Sequence, residues 1–312
     1  MIPAFDINVT AKKAELAILK TLVYFDIFDY PLSQKDIKSF LECHLNDEVF
    51  AYAIGQLISD RIIFKTGEFY SLQNDLQKAE KRLQGNLRAR RLLPKAAKIG
   101  AFLYKFPYVR AVAVSGSLSK NYADEKADID FFIITKENRL WIARTILHLF
   151  KKLTFLMGRQ HFYCMNYFID EKALIIPEKN IYTAMEVVTL MPLAGNYTMN
   201  RFFEVNSWTE KWFPAYKSGG NLKISEKNSS FKKFIERFFN KKRGDRLDDF
   251  LFTWTTRRWQ KKAREGRKNA KGRVMNLITA KHFSKSNPEA FQEKVVAMYE
   301  NKIEQLKSSM FD

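Results

Sequence analysis

The chain is long enough for two or three domains. It has 312 residues, and its apolar content of 46% is enough for each domain to bury a core. A disordered chain is therefore excluded. The 53 Lys and Arg residues outnumber the 34 Asp and Glu residues, which gives a net charge of +19. Such an excess predicts a polyanionic partner or a phosphorylated substrate.

Cysteine usage and hydropathy indicate the compartment. The chain has two cysteines, Cys43 and Cys164, and neither has the spacing of a disulfide scaffold or of a zinc site. No run approaches the roughly 18 apolar residues that cross a bilayer. Asp6 interrupts the N-terminal segment where a secretory signal is apolar. These features predict a cytoplasmic protein with no membrane span.

Residues 1–75 are predicted to form a small domain. The apolar periodicity and the helix cap at Ser33 indicate three helices, and a turn at Gly67 indicates a hairpin after them. The predicted helices cover residues 14–25, 34–41 and 47–59, and the predicted strands cover residues 61–65 and 68–72. Three helices followed by a hairpin resemble a winged helix-turn-helix.

The third of these helices lacks the side chains of a DNA reader. It opens with Asp47 and Glu48 and has no Lys or Arg before Arg61. A helix in the major groove needs donors for phosphates and base edges. We therefore expect no sequence-specific DNA binding from this domain and favour a docking or substrate-covering role.

The next predicted domain covers residues 76–195. It begins with a basic helical linker at residues 76–104, which Pro94 is expected to kink or divide, because proline lacks a backbone N–H and clashes with the preceding turn. After residue 108 the pattern changes to alternating strands and helices. This pattern predicts an α+β core.

Residues 196–312 are predicted to form a basic, mainly helical region. Residues 211–285 alone contain 22 Lys and Arg against 6 Asp and Glu. The aromatic residues fall at helical spacing, which predicts faces that pack inward while the lysines stay outside. The aromatic residues are Phe234 with Phe238, and Phe250 with Trp254; Arg258 continues the spacing of the second pair. A basic surface that binds RNA or acidic lipid is the alternative.

The segment with chemical content lies at residues 109–135. An apolar run ends in Ser115-Gly116-Ser117, a polar stretch follows, and Asp128-Ile129-Asp130 opens a second apolar run. Alternate residues of a strand share a face, so Asp128 and Asp130 present two carboxylates on one side. Such a pair suits Mg²⁺ bound together with substrate phosphates.

The turn before the polar stretch has the character of a phosphate site. Gly116 has no β-carbon, which lets backbone N–H groups and the Ser117 hydroxyl approach phosphate oxygens closely. Lys120 adds positive charge to the same segment. We therefore predict that Gly116, Ser117 and Lys120 bind a nucleotide.

This arrangement resembles the DNA polymerase β-like nucleotidyltransferase superfamily. Val114, the Gly116-Ser117 pair and the run Asp128-Ile129-Asp130-Phe131 follow its signature at the expected separation. The resemblance implies a mixed sheet with helices and attack of an acceptor hydroxyl on the α-phosphate of a nucleoside triphosphate, with loss of pyrophosphate. It also implies that Asp128 and Asp130 hold one or two Mg²⁺ ions, with Mn²⁺ as an alternative.

The same resemblance implies a third catalytic carboxylate on a later strand, and here the sequence departs from the pattern. In the predicted strand at residues 161–170, alternation puts Asn166 near the centre of the relevant face and Asp170 at its end. Asp170 is our candidate, and Glu186 on the following helix is a weaker alternative. If neither reaches the metals, the protein binds nucleotide without efficient turnover.

The chain also resembles a less characterised bacterial group in which a winged-helix-like unit precedes this core. The resemblance runs through residues 139–144, 166–168, 183–186 and 191–193. It implies a fold and a reaction class but no acceptor. Arg144, in the first of these segments, is a candidate phosphate contact, and helix packing is the alternative.

Two hypotheses from different classes follow. The first is a Mg²⁺-dependent nucleotidyltransferase that acts on an unidentified hydroxyl acceptor, with RNA or another phosphorylated polyanion as candidates. The second is a catalytically degenerate protein of the same fold that binds nucleic acid as a regulator through the N-terminal unit and the basic surface.

Overall fold

The computed structural model describes residues 4–125, 127–155, 162–218, 229–268, 272, 274 and 276–311. Within these ranges no helix is long and apolar enough to cross a membrane. The architecture is α+β, as predicted, with helices on both faces of a mixed sheet.

The N-terminal elements are three helices and a three-stranded antiparallel sheet. They are α1 (Ala4–Asp26), β1 (Leu32–Ser33), α2 (Gln34–Ser39), α3 (Asp47–Ser59), β2 (Phe64–Thr66) and β3 (Phe69–Ser71), with strand order β1, β3, β2. Ser33 caps α2 as predicted: its Oγ accepts from the Asp36 N–H and the Asp36 carboxylate accepts from the Ser33 N–H, both at 3.2 Å. The resemblance to a winged helix-turn-helix stays a prediction.

A single helix, α4 (Leu76–Leu103), leads into the main sheet and runs through Pro94. Pro94 therefore does not divide it. The helix buries a row of small residues that includes Ala89, Ala96 and Gly100, and a β-carbon added to Gly100 would clash with Leu193. This close packing stabilises the helix around Pro94, where one backbone hydrogen bond is missing because proline has no N–H.

The remaining elements build the main sheet and its cover. In chain order they are β4 (Val109–Ser115), α5 (Gly116–Ser119), β5 (Asp130–Thr135), α6 (Leu140–Phe155), β6 (Cys164–Asp170), α7 (Ile181–Val188), β7 (Met191–Ala194), α8 (Asn196–Val205), α9 (Ser230–Phe239), α10 (Lys242–Arg264), β8 (Leu277–Ala280), β9 (Phe283–Ser286) and α11 (Phe291–Phe311). The strand order is β7, β4, β5, β6, β9, β8, and within this sheet β5 and β6 pair in parallel. The sheet is mixed, as the resemblance implies. His161, at the start of the predicted third strand, lies outside the described residues.

The two faces of the sheet have different covers. Along β5, Phe131 and Ile133 join the buried cluster formed with α4 and α6, and we call this side the α6 face. Phe132 and Ile134 join the cluster formed with α8, which we call the α8 face. Because side chains alternate along a strand, Asp130 belongs to the α8 face.

The C-terminal region contacts both the main sheet and the N-terminal elements. Its hairpin extends the main sheet beside β6, in a region that the sequence predicts to be mainly helical. Helix α11 then packs on α1, with the rings of Tyr24 and Tyr299 6.0 Å apart and Lys302 Nζ 2.5 Å from Asp26. The core of the N-terminal elements therefore includes Val295 of α11 and Met185 of α7.

Four aromatic residues of α9 and α10 do not pack inward as predicted. Phe234, Phe238, Phe250 and Trp254 are between 49% and 69% exposed. In α9 two charged residues take inner positions beside Ile235 and Phe239. Lys232 Nζ donates to the carbonyl oxygens of Tyr104 and Val109 at 2.9 and 2.7 Å. Glu236 accepts from the Tyr108 N–H at 2.7 Å and forms an ion pair with Arg110. The spacing of apolar residues along a helix does not report that backbone groups near the start of β4 can bind charged side chains of α9.

Candidate active site

The two predicted metal ligands lie where β4 ends and β5 begins. Asp130 is the first residue of β5 and pairs with Ser115 on β4 and with Cys164 on β6. Asp128 precedes the strand, so β5 begins two residues later than the sequence predicts. Ile129 between them is fully buried in the cluster of the α6 face, and both aspartates are half-buried. The carboxylates therefore flank an anchored residue at one edge of the sheet.

Gly116 is held against this edge. Its φ of +69° lies in the left-handed region that favours glycine, and a β-carbon there would come 2.9 Å from Asp130 Oδ2. Ser117, the next residue, is exposed. The predicted phosphate-binding turn and the first carboxylate of β5 are therefore direct neighbours.

Lys120 is tied to the same turn. Its Nζ donates to the carbonyl oxygen of Gly116 at 3.2 Å and forms an ion pair with Glu186 of α7 at 2.7 Å. The hydroxyl of Tyr30, from the N-terminal elements, donates to the Lys120 carbonyl oxygen. Glu186, the weaker candidate for a third carboxylate, is thus a partner of Lys120, and Lys120 connects three parts of the chain beside the turn.

Asn166 occupies the position next to Asp130 on β6. The pairing of β5 with β6 shifts by one residue between Met165 and Tyr167, which makes Asn166 the extra residue of a bulge. Its Nδ2 donates to Asp130 Oδ1 at 2.5 Å, and Cys164 Sγ donates to its Oδ1 at 3.2 Å. Burial and the charge of Asp130 raise the pKa of the Cys164 thiol to about 12. An amide therefore stands where the resemblance implies a carboxylate.

Asp170 is not brought to this group. It pairs with Thr135 at the far end of β5, and five residues at about 3.3 Å each separate that end from Asp130 by about 17 Å. Asp170 is fully buried. Its carboxylate accepts from the backbone N–H groups of Asn138 and Lys172 at 2.9 and 3.0 Å, and from His282 Nδ1 at 2.8 Å. These bonds join the loop after β5 to the turn of the C-terminal hairpin.

Arg144 is also separated from the carboxylates. It is buried on α6, with its guanidinium 5.5 Å from the ring centre of Trp141 and 6.0 Å from that of Phe168. Phe168 belongs to the α6 face, opposite the face of Asp130. Burial lowers the pKa of Arg144 to about 10. Arg144 therefore has the helix-packing role that the sequence analysis gave as the alternative. The structure does not bring it to the predicted nucleotide-binding turn.

The sequence analysis missed two residues, Tyr182 and Lys285, that interact electrostatically with Glu186 and Glu293. Burial and the carboxylates of Glu186, Asp130 and Glu293 raise the pKa of Tyr182 on α7. Lys285 of β9 lies 5.5 Å from the ring centre of Tyr167, and burial lowers the pKa of its amino group. Their approach depends on the C-terminal hairpin and α11, so no local motif could have revealed them.

The donor set fits a hard divalent cation held jointly with a substrate. Among the residues that the structure describes, no three His, Cys, Asp or Glu side chains gather around one point. Two carboxylates at a sheet edge, next to a glycine that leaves room for an oxygen ligand, are nevertheless sufficient for Mg²⁺, which keeps waters and takes substrate phosphates as further ligands. The residues present are therefore compatible with the implied metal.

Comparison with known proteins identifies the class of this domain. Residues 93–191, from the second half of α4 to the start of β7, match the family model described as the nucleotidyltransferase domain. The match covers about a third of the chain and includes the Gly116 turn and both aspartates. The resemblance to the polymerase β-like nucleotidyltransferase superfamily is confirmed for this segment. No curated protein and no solved structure gives a significant match to the chain.

Proposed function

We propose that the protein is a Mg²⁺-dependent nucleotidyltransferase that moves a nucleoside monophosphate from a nucleoside triphosphate to a hydroxyl acceptor. The observation that carries the proposal is the contact between Gly116 and Asp130 within the matched domain. This contact places a turn suited to phosphate oxygens beside a carboxylate suited to a metal. A β-carbon built on Gly116 would lie 2.9 Å from Asp130 Oδ2.

Each part of the site has a distinct task in this proposal. Asp128 and Asp130 hold the metal, which supplies charge stabilisation at the attacking and leaving oxygens when it is bound. Gly116 and Ser117 receive the triphosphate. The acceptor oxygen forms a bond to the α-phosphorus as the bond to the pyrophosphate oxygen breaks, and the acceptor proton passes to solvent water.

Lys120 and Asn166 position these groups. Lys120 is already bonded to the Gly116 carbonyl oxygen and to Glu186, so it steadies the turn and adds positive charge beside the phosphates. Asn166 fixes one oxygen of Asp130 through its amide N–H. In this proposal Oδ2 of Asp130, which faces Gly116, is the oxygen directed at the substrate.

The acceptor belongs to a class with negative charge, since the chain carries a net charge of +19. RNA and other phosphorylated polyanions remain our candidates. The cytoplasmic location also remains a proposal.

One observation supports a second function. Because Asn166 is a neutral amide, the site has two carboxylates where efficient transfer in this superfamily is expected to use three. A catalytically degenerate protein would retain nucleotide binding and act as a nucleic-acid-binding regulator. This alternative predicts metal-dependent nucleotide binding without release of pyrophosphate.

The test is a transfer assay with each of the four nucleoside triphosphates, Mg²⁺ and RNA or a phosphorylated acceptor. We expect Asp128→Ala to reduce pyrophosphate release on the order of a thousandfold, because it removes a metal ligand. Asp60→Ala, which removes an exposed carboxylate after α3, is the matched control and should have no effect. Full activity of Asp128→Ala would contradict the proposal, and binding without release by the wild type would favour the regulator.

A further inference from the structure

Helix α9 buries only part of its apolar surface. Its inner side carries Lys232 and Glu236, which bond to residues 104–110, together with Ile235 and Phe239, while Phe234 and Phe238 face outward. Aromatic rings that could have been buried are thus kept in contact with solvent. An exposed apolar surface of this kind marks an interaction site rather than a stability feature.

The neighbouring helices repeat the pattern. Phe250 and Trp254 are exposed on α10, and Leu149 and Leu153 are 56% and 60% exposed on α6. Each pair has the spacing i, i+4, so each forms a short apolar stripe along its helix. Three helices therefore present stripes of the same kind.

These helices pack against one another. The Asp248 carboxylate of α10 accepts from the backbone N–H groups of Trp141 and Ile142, at the start of α6, at 2.9 Å each. Ile235 of α9 and Leu251 of α10 join the same buried cluster as Ile142. The three stripes are therefore carried by helices that pack against one another.

Basic side chains flank every stripe. On α9 they adjoin the aromatic residues in sequence, and on α10 they precede and follow the aromatic pair; all are exposed. They are Lys233, Arg237, Arg246, Arg257 and Arg258, with Lys152 beside the stripe of α6. The Arg258 guanidinium lies 5.3 Å from the ring centre of Trp254. Two exposed acidic residues of α10, Asp245 and Asp249, lie among them and form ion pairs with Arg139 and Lys281. Residues 211–285 as a whole carry 22 basic and 6 acidic residues.

We propose that this surface, formed by the exposed stripes of α6, α9 and α10 and their basic flanks, docks on an anionic phospholipid bilayer. Apolar rings and aliphatic chains enter the boundary between headgroups and acyl chains, while lysine and arginine contact the phosphates. The aliphatic stripe of Leu149 and Leu153 distinguishes lipid from single-stranded RNA, because leucine has no aromatic face on which a base can stack. The protein would thus be a peripheral membrane protein, independently of the nucleotidyltransferase proposal.

The experiment is flotation of the full-length protein with vesicles of phosphatidylcholine, with and without 30 mol% phosphatidylglycerol, on the order of the anionic content of natural membranes. We expect binding to the anionic vesicles alone, weakened by salt. Phe234→Ser with Phe238→Ser should reduce the partition coefficient about tenfold or more, since binding scales with the apolar area inserted. Ile175→Ser with Tyr197→Ser, equally exposed elsewhere, is the matched control and should bind as the wild type does.

A second pair of substitutions tests the contribution of the basic side chains. Arg237→Gln with Arg246→Gln should weaken binding roughly 25-fold, at about fivefold for each basic side chain near an anionic surface. Arg90→Gln with Arg91→Gln, exposed on α4, is the control. Absence of vesicle binding, or equal binding by the phenylalanine double variant, would overturn the proposal. So would selective binding of a fluorescent single-stranded RNA that this variant abolishes, because the surface would then belong to a nucleic acid.

Discussion

The side-chain amide of Asn166 donates a hydrogen bond to Asp130 Oδ1 at 2.5 Å, from a bulge in β6. A neutral group thereby fixes the carboxylate at the centre of the proposed metal site. The amide brings no third negative charge, and it is too weakly basic to accept a proton from the acceptor.

Asn166 should therefore control the Mg²⁺ dependence of the reaction. Asn166→Ala should lower transfer at least about tenfold, as removal of a group that orients a metal ligand does. Asn166→Asp adds a carboxylate beside Asp130 and should lower the Mg²⁺ concentration for half-maximal activity. Asn240→Ala, which removes an exposed amide bonded to Lys136, is the control. Identical Mg²⁺ titrations for all variants would show that Asn166 has no part in the site.

Gly116→Ala should abolish nucleotide binding, and Gly67→Ala serves as its matched control. Both glycines have positive φ, +69° and +60°, so each alanine carries the cost of a left-handed backbone, roughly 1–2 kcal/mol. At Gly67 nothing lies within 4 Å of the added β-carbon, whereas at Gly116 it meets Asp130. Calorimetric titration should therefore separate the two variants while thermal unfolding does not. Equal nucleotide affinity in both would contradict the proposed contact.

Asp170→Asn should affect stability rather than nucleotide binding. The buried carboxylate accepts three hydrogen bonds that join the loop after β5 to the C-terminal hairpin. Loss of its charge should lower the free energy of unfolding by about 2–3 kcal/mol, the scale of hydrogen bonds to charged groups. Chemical denaturation measures this change. A variant of normal stability that no longer binds nucleotide would return Asp170 to the candidate site.

Asp248 should make the stability of the protein depend on pH in an unusual direction. Burial raises its pKa to about 6. Because the folded state then holds the proton more tightly than the unfolded state, the contribution of this group to stability is full below about pH 4. It is lost as the pH rises through about 6. Asp248→Asn should therefore gain stability relative to the wild type between these values, in denaturation curves recorded at each pH. A constant difference across that range would rule out this titration.

The sequence predicts the nucleotidyltransferase segment well because its signal is local. Hydrophobic runs separated by a Gly-Ser turn and a polar stretch locate β4 and β5, and β6 is found within a longer predicted strand. The proximity of Gly116 and Asp130 follows from the pairing of those neighbouring strands. Such contacts depend on residues close in the chain, which makes them accessible to pattern analysis.

The contacts that sequence analysis could not predict are distant in the chain. The pairing of β9 with β6 brings Lys285 to the α8 face, and no periodicity reports which edge a late hairpin joins. The orientation of α9 depends on Lys232 and Glu236 finding partners near β4. Apolar spacing alone assigned the inner side of that helix to Phe234 and Phe238, which was wrong.

Calorimetric titration of non-hydrolysable nucleoside triphosphate analogues with Mg²⁺ tests the central claim most directly. The wild type should bind at least one of the four analogues only when Mg²⁺ is present. Asp128→Ala with Asp130→Ala should bind none of them while keeping the thermal stability of a folded protein. Metal-independent binding, or equal binding by wild type and double variant, would contradict the assignment of these two carboxylates to the nucleotide site.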